Sequence, residues 1–347
     1  MRRLVVASMR EGAGKTSLIV GLGEVADGAF GYLKPFGDRL LYKKKRLWDY
    51  DSALVGSVFG LSEDPKDMSI GFDHSKVRFM YSGGSVGEKL RELAERAEDG
   101  KDALFIEAGR DLSYGISVDL DAVSLAEGTD AALVIVMAGE DRTIVDDIAF
   151  VKKHVRLDGV RFAGVVLNGL QDVDDFKNTY AGEIEEMGVK VLGFVPKDPE
   201  LSAPSVGFLS ELLFAKIMTG ENSLRSVVKN IFVGAMSGDA AARQPSFAKP
   251  RKLVITSGDR TDMIVAALES DTAGLVLTNG ISPPSSIISK AAEKGVPMLL
   301  SADDTFRVAK QIDDAAYLLR ADESDKIERL GRLVRDNVNV KELLGNG

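Results

Sequence analysis

Short apolar runs recur along residues 1–200, and each ends in glycine, serine, asparagine or an acidic residue. Such uniformly apolar runs are typical of parallel strands buried on both faces. The segments between them carry apolar residues at helical spacing, as residues 85–98 do. Strands are predicted at residues 4–7, 103–106, 133–136, 164–167 and 191–195. The alternation predicts an α/β fold with a doubly wound, mostly parallel sheet.

A second α/β series follows a stretch, residues 202–252, that is richer in serine, alanine, glycine and proline. Within that stretch, residues 237–250 are weakly patterned and are predicted to form a loop. Further strands are predicted at residues 253–256, 274–277 and 296–300. We therefore predict one α/β domain over residues 1–221 and a smaller α/β domain over residues 222–347, which includes a charged C-terminal helix.

Composition and charge narrow the function classes. The 347 residues are 45% hydrophobic and 28% charged, with a net charge of −9, so duplex nucleic acid and anionic membranes are poor partners for the surface as a whole. The chain has no cysteine, which excludes disulfides, thiolate nucleophiles and Cys-ligated metals. No apolar run is long enough for a membrane helix, and the N-terminus does not resemble a signal peptide. We expect a soluble, cytoplasmic protein.

The first predicted strand runs directly into a glycine-rich segment, residues 8–16, that is followed by an apolar helical pattern. A strand, a glycine-rich turn and a helix in this order present backbone N–H groups to phosphate. Lys15 then reaches the β/γ oxygens, and Thr16 coordinates Mg²⁺. The predicted phosphate-binding residues are Arg10, Glu11, Gly12, Ala13, Gly14, Lys15, Thr16 and Ser17. The alternative is a purely structural strand-to-helix turn.

This segment resembles the P-loop of the dethiobiotin synthetase and cobyrinic acid amide synthetase families, with Met9 in place of the usual first glycine. The resemblance implies a P-loop NTPase-like fold that binds ATP. In many members of this deviant Walker A group, a lysine five residues before the invariant one reaches across a dimer. Arg10 occupies that position here and is either a phosphate ligand of the opposite subunit or a solvated loop residue.

Gly31-Tyr32-Leu33-Lys34-Pro35 resembles the Gly-Tyr-x-Lys-Pro stretch of dethiobiotin synthetases. The family's lysine faces the substrate and the phosphates. The resemblance implies that Lys34, together with Lys15, is catalytic and stabilises charge on a transferring phosphoryl group. The alternative for Lys34 is an ordinary surface lysine.

Two acidic positions resemble the metal ligands of these families. Asp51 aligns with the family's Ser-Asp-Ala-Leu region better than Asp49 does, and Glu107 ends a predicted strand at the Walker B position. Mg²⁺ prefers oxygen ligands and needs only one or two carboxylates beside the nucleotide. The predicted metal ligands are therefore Thr16, Asp51 and Glu107; the alternative for Glu107 is an ordinary strand-end acid, and for Asp51 an acid with no metal role.

The nucleotide base is predicted to lie near Asn168 and Pro196, which follow two later strands. The superfamily reads the base with an asparagine at the first position, and the loop at the second packs beside adenine. Turn-forming residues also end strands for local reasons, which is the alternative. The basic run at residues 43–46 is interpreted as a loop, and neither His74 nor His154 has a catalytic context.

The second series resembles the DRTGG domain through the polar ends of its strands, residues 257–262, 277–280 and 301–305. Asp262 and Met263 replace the two glycines of the name. The tandem resembles the regulatory N-terminal half of long bacterial phosphotransacetylases. Local turn chemistry explains Asp259 and Arg260 equally well.

Two functions remain open at this point. The first is an ATP- and Mg²⁺-dependent ligase that phosphorylates a carboxylate or carbamate, acting on a small carboxylate or amine as a homodimer. The second is a nucleotide-dependent regulatory or sensor module whose DRTGG-like domain contacts a partner protein. We expect no cysteine-dependent glutaminase and, within 347 residues, no phosphotransacetylase catalytic domain.

Overall fold

A computed structural model describes residues 2–43, 46–81, 84–315 and 317–345. The chain forms two compact units, one of Met1–Lys197 with Ser324–Gly347 and one of Asp198–Glu323. The second unit begins at Asp198 rather than at the predicted residue 222, and it ends at Glu323 rather than at residue 347. The reasons are two long-range contacts, described below, that local patterning does not reveal.

The first unit is built on a six-stranded sheet with the order β2-β5-β1-β6-β7-β8. All neighbouring strands are parallel, which confirms the doubly wound sheet. The strands are β1 (Arg2–Ser8), β2 (Phe30–Leu33), β5 (Ala103–Glu107), β6 (Ala132–Ala138), β7 (Arg161–Leu170) and β8 (Val191–Pro196). A separate antiparallel hairpin consists of β3 (Leu40–Lys43) and β4 (Arg46–Asp49). The tip of the predicted basic loop, residues 44–45, lies outside the described residues.

Helices cover this sheet. They are α1 (Lys15–Val25), α2 (Tyr50–Val58), α3 (His74–Met80), α4 (Ser85–Glu98), α5 (Ala122–Thr129), α6 (Asp141–His154), α7 (Val173–Glu186), α13 (Ser324–Asn337) and α14 (Val340–Leu344). β1 lies between β5 and β6, where the strand order changes direction. In open α/β sheets, ligands bind outside the carboxyl ends of the strands at such a point.

The closing helices belong to the first unit, so the assignment of the C-terminal helix to the second domain is wrong. The backbone N–H of Asn339 donates to the carbonyl of Leu192 at 2.7 Å, which ties the α13–α14 connection to β8. α13 also packs on α1 at two glycines, Gly21 of α1 and Gly331 of α13. A Cβ at Gly331 would lie 2.9 Å from the Cβ of Glu24. Only small residues allow the two helices this separation.

We expect Gly21→Ala in α1 to lower the free energy of unfolding by about 1–3 kcal/mol, because overpacking outweighs the gain in helix propensity. The new Cβ would overlap Cγ2 of Val334 and lie 3.0 Å from the carbonyl oxygen of Leu330. Gly182→Ala in α7 is the matched control, since nothing lies within 4 Å of that Cβ; it should be neutral or stabilising. Urea unfolding measures both, and equal effects would contradict the proposed helix contact.

The second unit contains a five-stranded sheet with the order β10-β11-β12-β13-β9. Its strands are β9 (Lys216–Thr219), β10 (Asn230–Val233), β11 (Lys252–Ser257), β12 (Thr272–Thr278) and β13 (Met298–Leu300), and its helices are α8 (Val206–Leu212), α9 (Gly238–Ala242), α10 (Thr261–Leu268), α11 (Ser285–Glu293) and α12 (Thr305–Asp313). The first four strands of the sheet are parallel, and β9 pairs antiparallel with β13. This pairing draws β9, which precedes the predicted boundary, into the second unit.

Two further features complete the fold. The stretch predicted as a loop at residues 237–250 contains the short helix α9, which Ser237 caps by accepting from the N–H of Ala240. Among the described residues, no helix is both long enough and apolar enough to cross a membrane.

Candidate nucleotide-binding site

The glycine-rich loop between β1 and α1 is shaped by Gly12 and Gly14, whose φ angles are 74° and 98°. A side chain at Gly14 is excluded further by Asn168, whose amide nitrogen a Cβ would overlap. Within the described parts of the chain, the backbone N–H groups of residues 11–16 donate no hydrogen bond to protein. The loop and the N-terminus of α1 therefore offer a row of free donors, the arrangement that binds phosphate.

Lys15 lies behind this loop. Its Nζ donates to Ser8 Oγ at 3.0 Å and to the carbonyl oxygen of Arg110 at 3.1 Å. Burial lowers the pKa of Lys15, and nearby Glu107 opposes that shift. Neutral oxygen acceptors thus hold the amine at the carboxyl end of β1. An anionic phosphate oxygen can replace them, because a hydrogen bond between two charged groups is stronger than one to a neutral acceptor.

Glu107 ends β5 and meets the first turn of α1. One oxygen accepts from the hydroxyl of Thr16 at 2.9 Å, and the other accepts from the hydroxyl of Tyr32 at 3.0 Å. Burial raises the pKa of Glu107 to about 7, although the charge of Lys34 acts in the opposite direction. The structure therefore brings together two of the three predicted metal ligands, and Tyr32 orients the carboxylate.

Lys34 is enclosed by carboxylates, with 1% of its side chain exposed. Its Nζ lies 2.5 Å from Asp38 Oδ1, 3.6 Å from Asp49 Oδ1 and 3.7 Å from Glu107 Oε1. It also forms an ion pair with Asp51. Burial lowers the pKa of Lys34, but the four carboxylates outweigh burial and raise it well above the usual range. The ammonium serves as the counter-ion of an acidic cluster in this structure.

Asp49 and Asp51 have different roles in this cluster. Asp49 caps α2, and its two oxygens accept from the backbone N–H groups of residues 38, 39, 51 and 52 at 3.0–3.2 Å. Burial raises the pKa of Asp49, whereas Lys34 and Arg39 overcome the effect of burial and lower the pKa of Asp51. The oxygens of Asp49 are therefore occupied by backbone N–H groups, whereas Asp51 is ionised and pairs with Lys34 and Arg39.

When all of its carboxylates are ionised, the cluster is one positive charge short of balance. Four carboxylates, those of residues 38, 49, 51 and 107, face three cationic groups, those of residues 15, 34 and 39. Asp38, Asp49 and Asp51 each offer an oxygen within 4.8 Å of the others. Oxygen ligands and an excess of negative charge fit a hard divalent cation such as Mg²⁺.

Asn168 and Pro196 lie at the ends of neighbouring strands β7 and β8. The amide of Asn168 donates to the carbonyl oxygen of Ala13 at 2.8 Å, so it supports the phosphate-binding loop directly. Pro196 ends β8 opposite Leu170. The predicted base contacts therefore lie at the same edge of the sheet as the loop.

Arg10 is paired within its own chain. Its Nε and one NH2 group donate to the two oxygens of Asp147 on α6 at 2.8 and 2.9 Å. The side chain of Arg10 remains 56% exposed, whereas that of Asp147 is 8% exposed. The neighbouring loop residue Glu11 lies 3.6 Å from Arg110. The described conformation thus holds Arg10 in a bidentate ion pair that sequence reasoning did not predict.

Several site residues were missed from the sequence. Ser8 and Tyr32 lie inside the quoted motifs, and the alternation of side chains along a buried strand could have indicated them. Asp38 lies only four residues after Lys34, whereas Arg39 and Asp147 have no local signal, because only tertiary packing brings them to Asp51 and Arg10. His74 packs edge-on against Phe36 at 4.7 Å, and Phe36 stacks on Tyr114 at 5.1 Å.

A parallel sheet, a glycine-rich loop leading into α1 and a carboxylate at the end of the adjacent strand define a P-loop protein. The chain belongs to the AAA domain family AAA_26, whose family model matches residues 2–205. The model of the DRTGG domain matches residues 209–315. The predicted tandem is thereby confirmed.

Curated relatives share the whole arrangement. The phosphate acetyltransferase of Pseudomonas aeruginosa is 26% identical over 377 aligned residues, which cover 99% of this chain and 52% of the relative. That of Nitrosomonas europaea is 24% identical, with 99% and 51% covered. The chain spans about half the length of the curated relatives it matches.

Solved structures match parts of the chain. The CBS and DRTGG domains of the regulatory region of Clostridium perfringens pyrophosphatase, complexed with diadenosine tetraphosphate, match with 20% identity and a TM-score of 0.29, covering 33% of this chain and 50% of that one. The pNOB8 ParA structure matches with 13% identity and a TM-score of 0.33, covering 55% and 74%.

The raised pKa of Glu107 predicts that Mg²⁺ binding strengthens with pH. With a pKa of about 7, the carboxyl group is largely protonated at pH 6 and must lose its proton to bind a metal. We expect the ATP-dependent rise in melting temperature to respond more strongly to Mg²⁺ at pH 8 than at pH 6. Glu107→Gln should weaken the Mg²⁺ response and reduce its pH dependence to the part that comes from the terminal phosphate of ATP, which also titrates near this range. An unchanged response in that variant would exclude Glu107 as a metal ligand and move the acidic role to Asp49 or Asp51.

Proposed function

We propose that this chain is an ATP- and Mg²⁺-binding regulatory module. The free N–H groups of the loop would hold the phosphates, and Lys15 would contact the β/γ oxygens. Asn168 would position the loop and would lie next to the nucleotide base. Thr16, Glu107 and Asp51 would hold Mg²⁺, which supplies positive charge to the phosphates when bound. The AAA domain match and the loop geometry support the nucleotide.

The enclosure of Lys34 is the observation that favours regulation over catalysis. A lysine that stabilises a transferring phosphoryl group must face that group. Here the ammonium of Lys34 is buried among four carboxylates. In the regulatory module, ATP binding would act through the protein's conformation, and no phosphoryl group would be transferred.

A ligase that phosphorylates a carboxylate or carbamate is the second candidate. The contact between Thr16 and Glu107, with Lys15 beside it, supports the ligase because these groups supply the charge and metal ligands of phosphoryl transfer. Catalysis would require Lys34 to leave the acidic cluster, for instance when Mg²⁺ replaces its charge there.

Phosphate release by the full chain, measured with ATP, Mg²⁺ and a panel of small carboxylates and amines, separates the two functions. Saturable ATP binding with no release beyond the rate of a Lys15→Ala control supports the regulatory module. Release that appears with one organic acid only would overturn it in favour of the ligase.

Dimerisation through the P-loop face is proposed as well, with a partner protein at the DRTGG domain as a further proposal. If Arg10 leaves Asp147 to reach the partner subunit's phosphates, Arg10→Ala should weaken ATP binding at least tenfold, and only at protein concentrations where dimers form. Calorimetry and sedimentation measure the two quantities. Arg142→Ala, an exposed change on the same helix as Asp147, is the control. Equal ATP affinity for wild type and Arg10→Ala would contradict the proposal.

A further inference from the structure

The sheet of the second unit ends on one side in a strand, β10, that carries exposed apolar side chains. Among the described strands, β10 pairs only with β11. The register places Ile231 beside Leu253 and Val233 beside Ile255, and both residues of β11 are fully buried in the core under α8 and α12. Ile231 is nevertheless 45% exposed, and Val233 is 40% exposed. The apolar face of the sheet therefore continues onto β10 and is left uncovered there.

The other edge strands of the two main sheets are protected. β2 is buried along its whole length, and Gly193 of β8 pairs antiparallel with Val338. β9 begins with the exposed Lys216. Charged residues and covering segments are the usual means by which an edge strand avoids pairing with another chain. Residues 230–238 contain no charged residue and no proline, so β10 lacks this protection.

The backbone of β10 also offers hydrogen-bonding groups at the open edge. Gly234, directly after β10, donates its N–H to the carbonyl of Ile255 at 2.8 Å. Because successive residues of a strand direct their N–H and C=O groups to opposite sides, Ile231 faces away from β11. The carbonyl of Val233 on the same side already accepts from the N–H of Ala235 at 3.0 Å. Within the described residues, Ile231 is thus the position of β10 with both groups available to a further strand.

We propose that β10 pairs antiparallel with β10 of a second copy of this chain, about a two-fold axis at Ile231. The N–H and C=O groups of Ile231 bond to those of the partner's Ile231, and the two side chains pack on the same face. Lys229, the charged residue nearest to this axis, forms an ion pair with Glu200 of its own chain. A second copy fits the edge because donors meet acceptors, apolar side chains meet each other and no unpaired like charges are opposed. The proposal does not depend on the nucleotide site.

Cysteine cross-linking of the full chain tests the proposal, because the sequence contains no cysteine. Opposed residues of a hydrogen-bonded antiparallel pair have Cα atoms about 5.5 Å apart, a separation that a disulfide spans. Ile231→Cys should therefore form a covalent dimer under mild oxidation at least tenfold faster than Ile281→Cys. Ile281 is the matched control, since it is an isoleucine of similar exposure, 38%, in the loop after β12. Equal rates of cross-linking would overturn the proposal.

Sedimentation velocity without nucleotide provides a second test. Wild type is expected to dimerise as its concentration rises, and Ile231→Lys, which places a charge on the edge, should weaken dimerisation at least tenfold. Ile281→Lys is the control and should leave dimerisation unchanged. If Ile231→Lys fails to fold by circular dichroism, Val233→Lys replaces it with the same expected effect. Dimerisation that survives the edge charge would assign the contact to another surface and overturn the proposal, as would a wild type that stays monomeric.

Discussion

ATP with Mg²⁺ is expected to raise the melting temperature of the wild-type chain, and Lys15→Ala is expected to remove most of that rise. A ligand that binds only the folded state stabilises it by about 2.7 kcal/mol at 100 times its Kd. Lys15 is the cation placed behind the free N–H groups of the loop, where its neutral partners are Ser8 and the carbonyl of Arg110. Its loss removes the charge that phosphate would meet.

The unliganded variant should remain folded, because Lys15 forms hydrogen bonds only to the neutral oxygens of Ser8 and Arg110 and no direct ion pair within the described residues, and Glu107 keeps Lys34 as a cationic neighbour. Differential scanning fluorimetry with and without ATP and Mg²⁺ measures the effect, and circular dichroism checks the fold. Lys89→Ala is the control, since this lysine pairs on the surface with Glu92. Equal thermal shifts in wild type and Lys15→Ala would reject the phosphate-binding assignment.

Lys34→Met is expected to lower the free energy of unfolding at pH 8 by about 3–5 kcal/mol, the usual cost of leaving a buried charge without its partner. Four buried carboxylates lose their shared counter-ion in this variant. Lys89→Met, which disrupts only the surface pair with Glu92, should cost at most about 1 kcal/mol. Urea unfolding measures both. A loss below 1 kcal/mol for Lys34→Met would show that the lysine is not the counter-ion of the cluster.

The loss of unfolding free energy caused by Lys34→Met, called the deficit below, should depend on pH. In wild type, the pKa of Lys34 is raised in the folded state, so its contribution is complete below the unfolded pKa of about 10.4 and is lost at higher pH. Without Lys34, the pKa values of the carboxylates rise in the folded state, and the folded state binds protons that the unfolded state does not. The deficit should therefore shrink as the pH falls from 8 to 5. A deficit that grows over this range would contradict the assigned charges.

Much of the first unit was predictable from local patterns. Buried parallel strands have few polar positions, so β1, β5, β6, β7 and β8 stand out as apolar runs. The glycine-rich turn is equally local, because Gly12 and Gly14 adopt positive φ angles and Lys15 begins the following helix. Glu107 could be placed at the carboxyl edge of the sheet because it is the last residue of β5 and directly follows an apolar run.

The environment of Lys34 was not predictable in this way. The resemblance of its motif implied an amine that faces the substrate and the phosphates, whereas packing surrounds it with Asp38, Asp49, Asp51 and Glu107. No spacing rule relates a lysine after one strand to an acid that ends another strand 73 residues later. The pairing follows from β2 and β5 being neighbours in the sheet.

The sequence by itself determined the α/β class, the tandem of two domains and the loop that meets α1, because apolar periodicity and backbone freedom act over a few residues. Tertiary structure alone decided that β9 pairs with β13, that α13 returns to α1 and that Asp147 holds Arg10. These contacts join segments far apart in the chain, and their free energy comes from burying complementary surfaces and charges that are not adjacent until the chain folds.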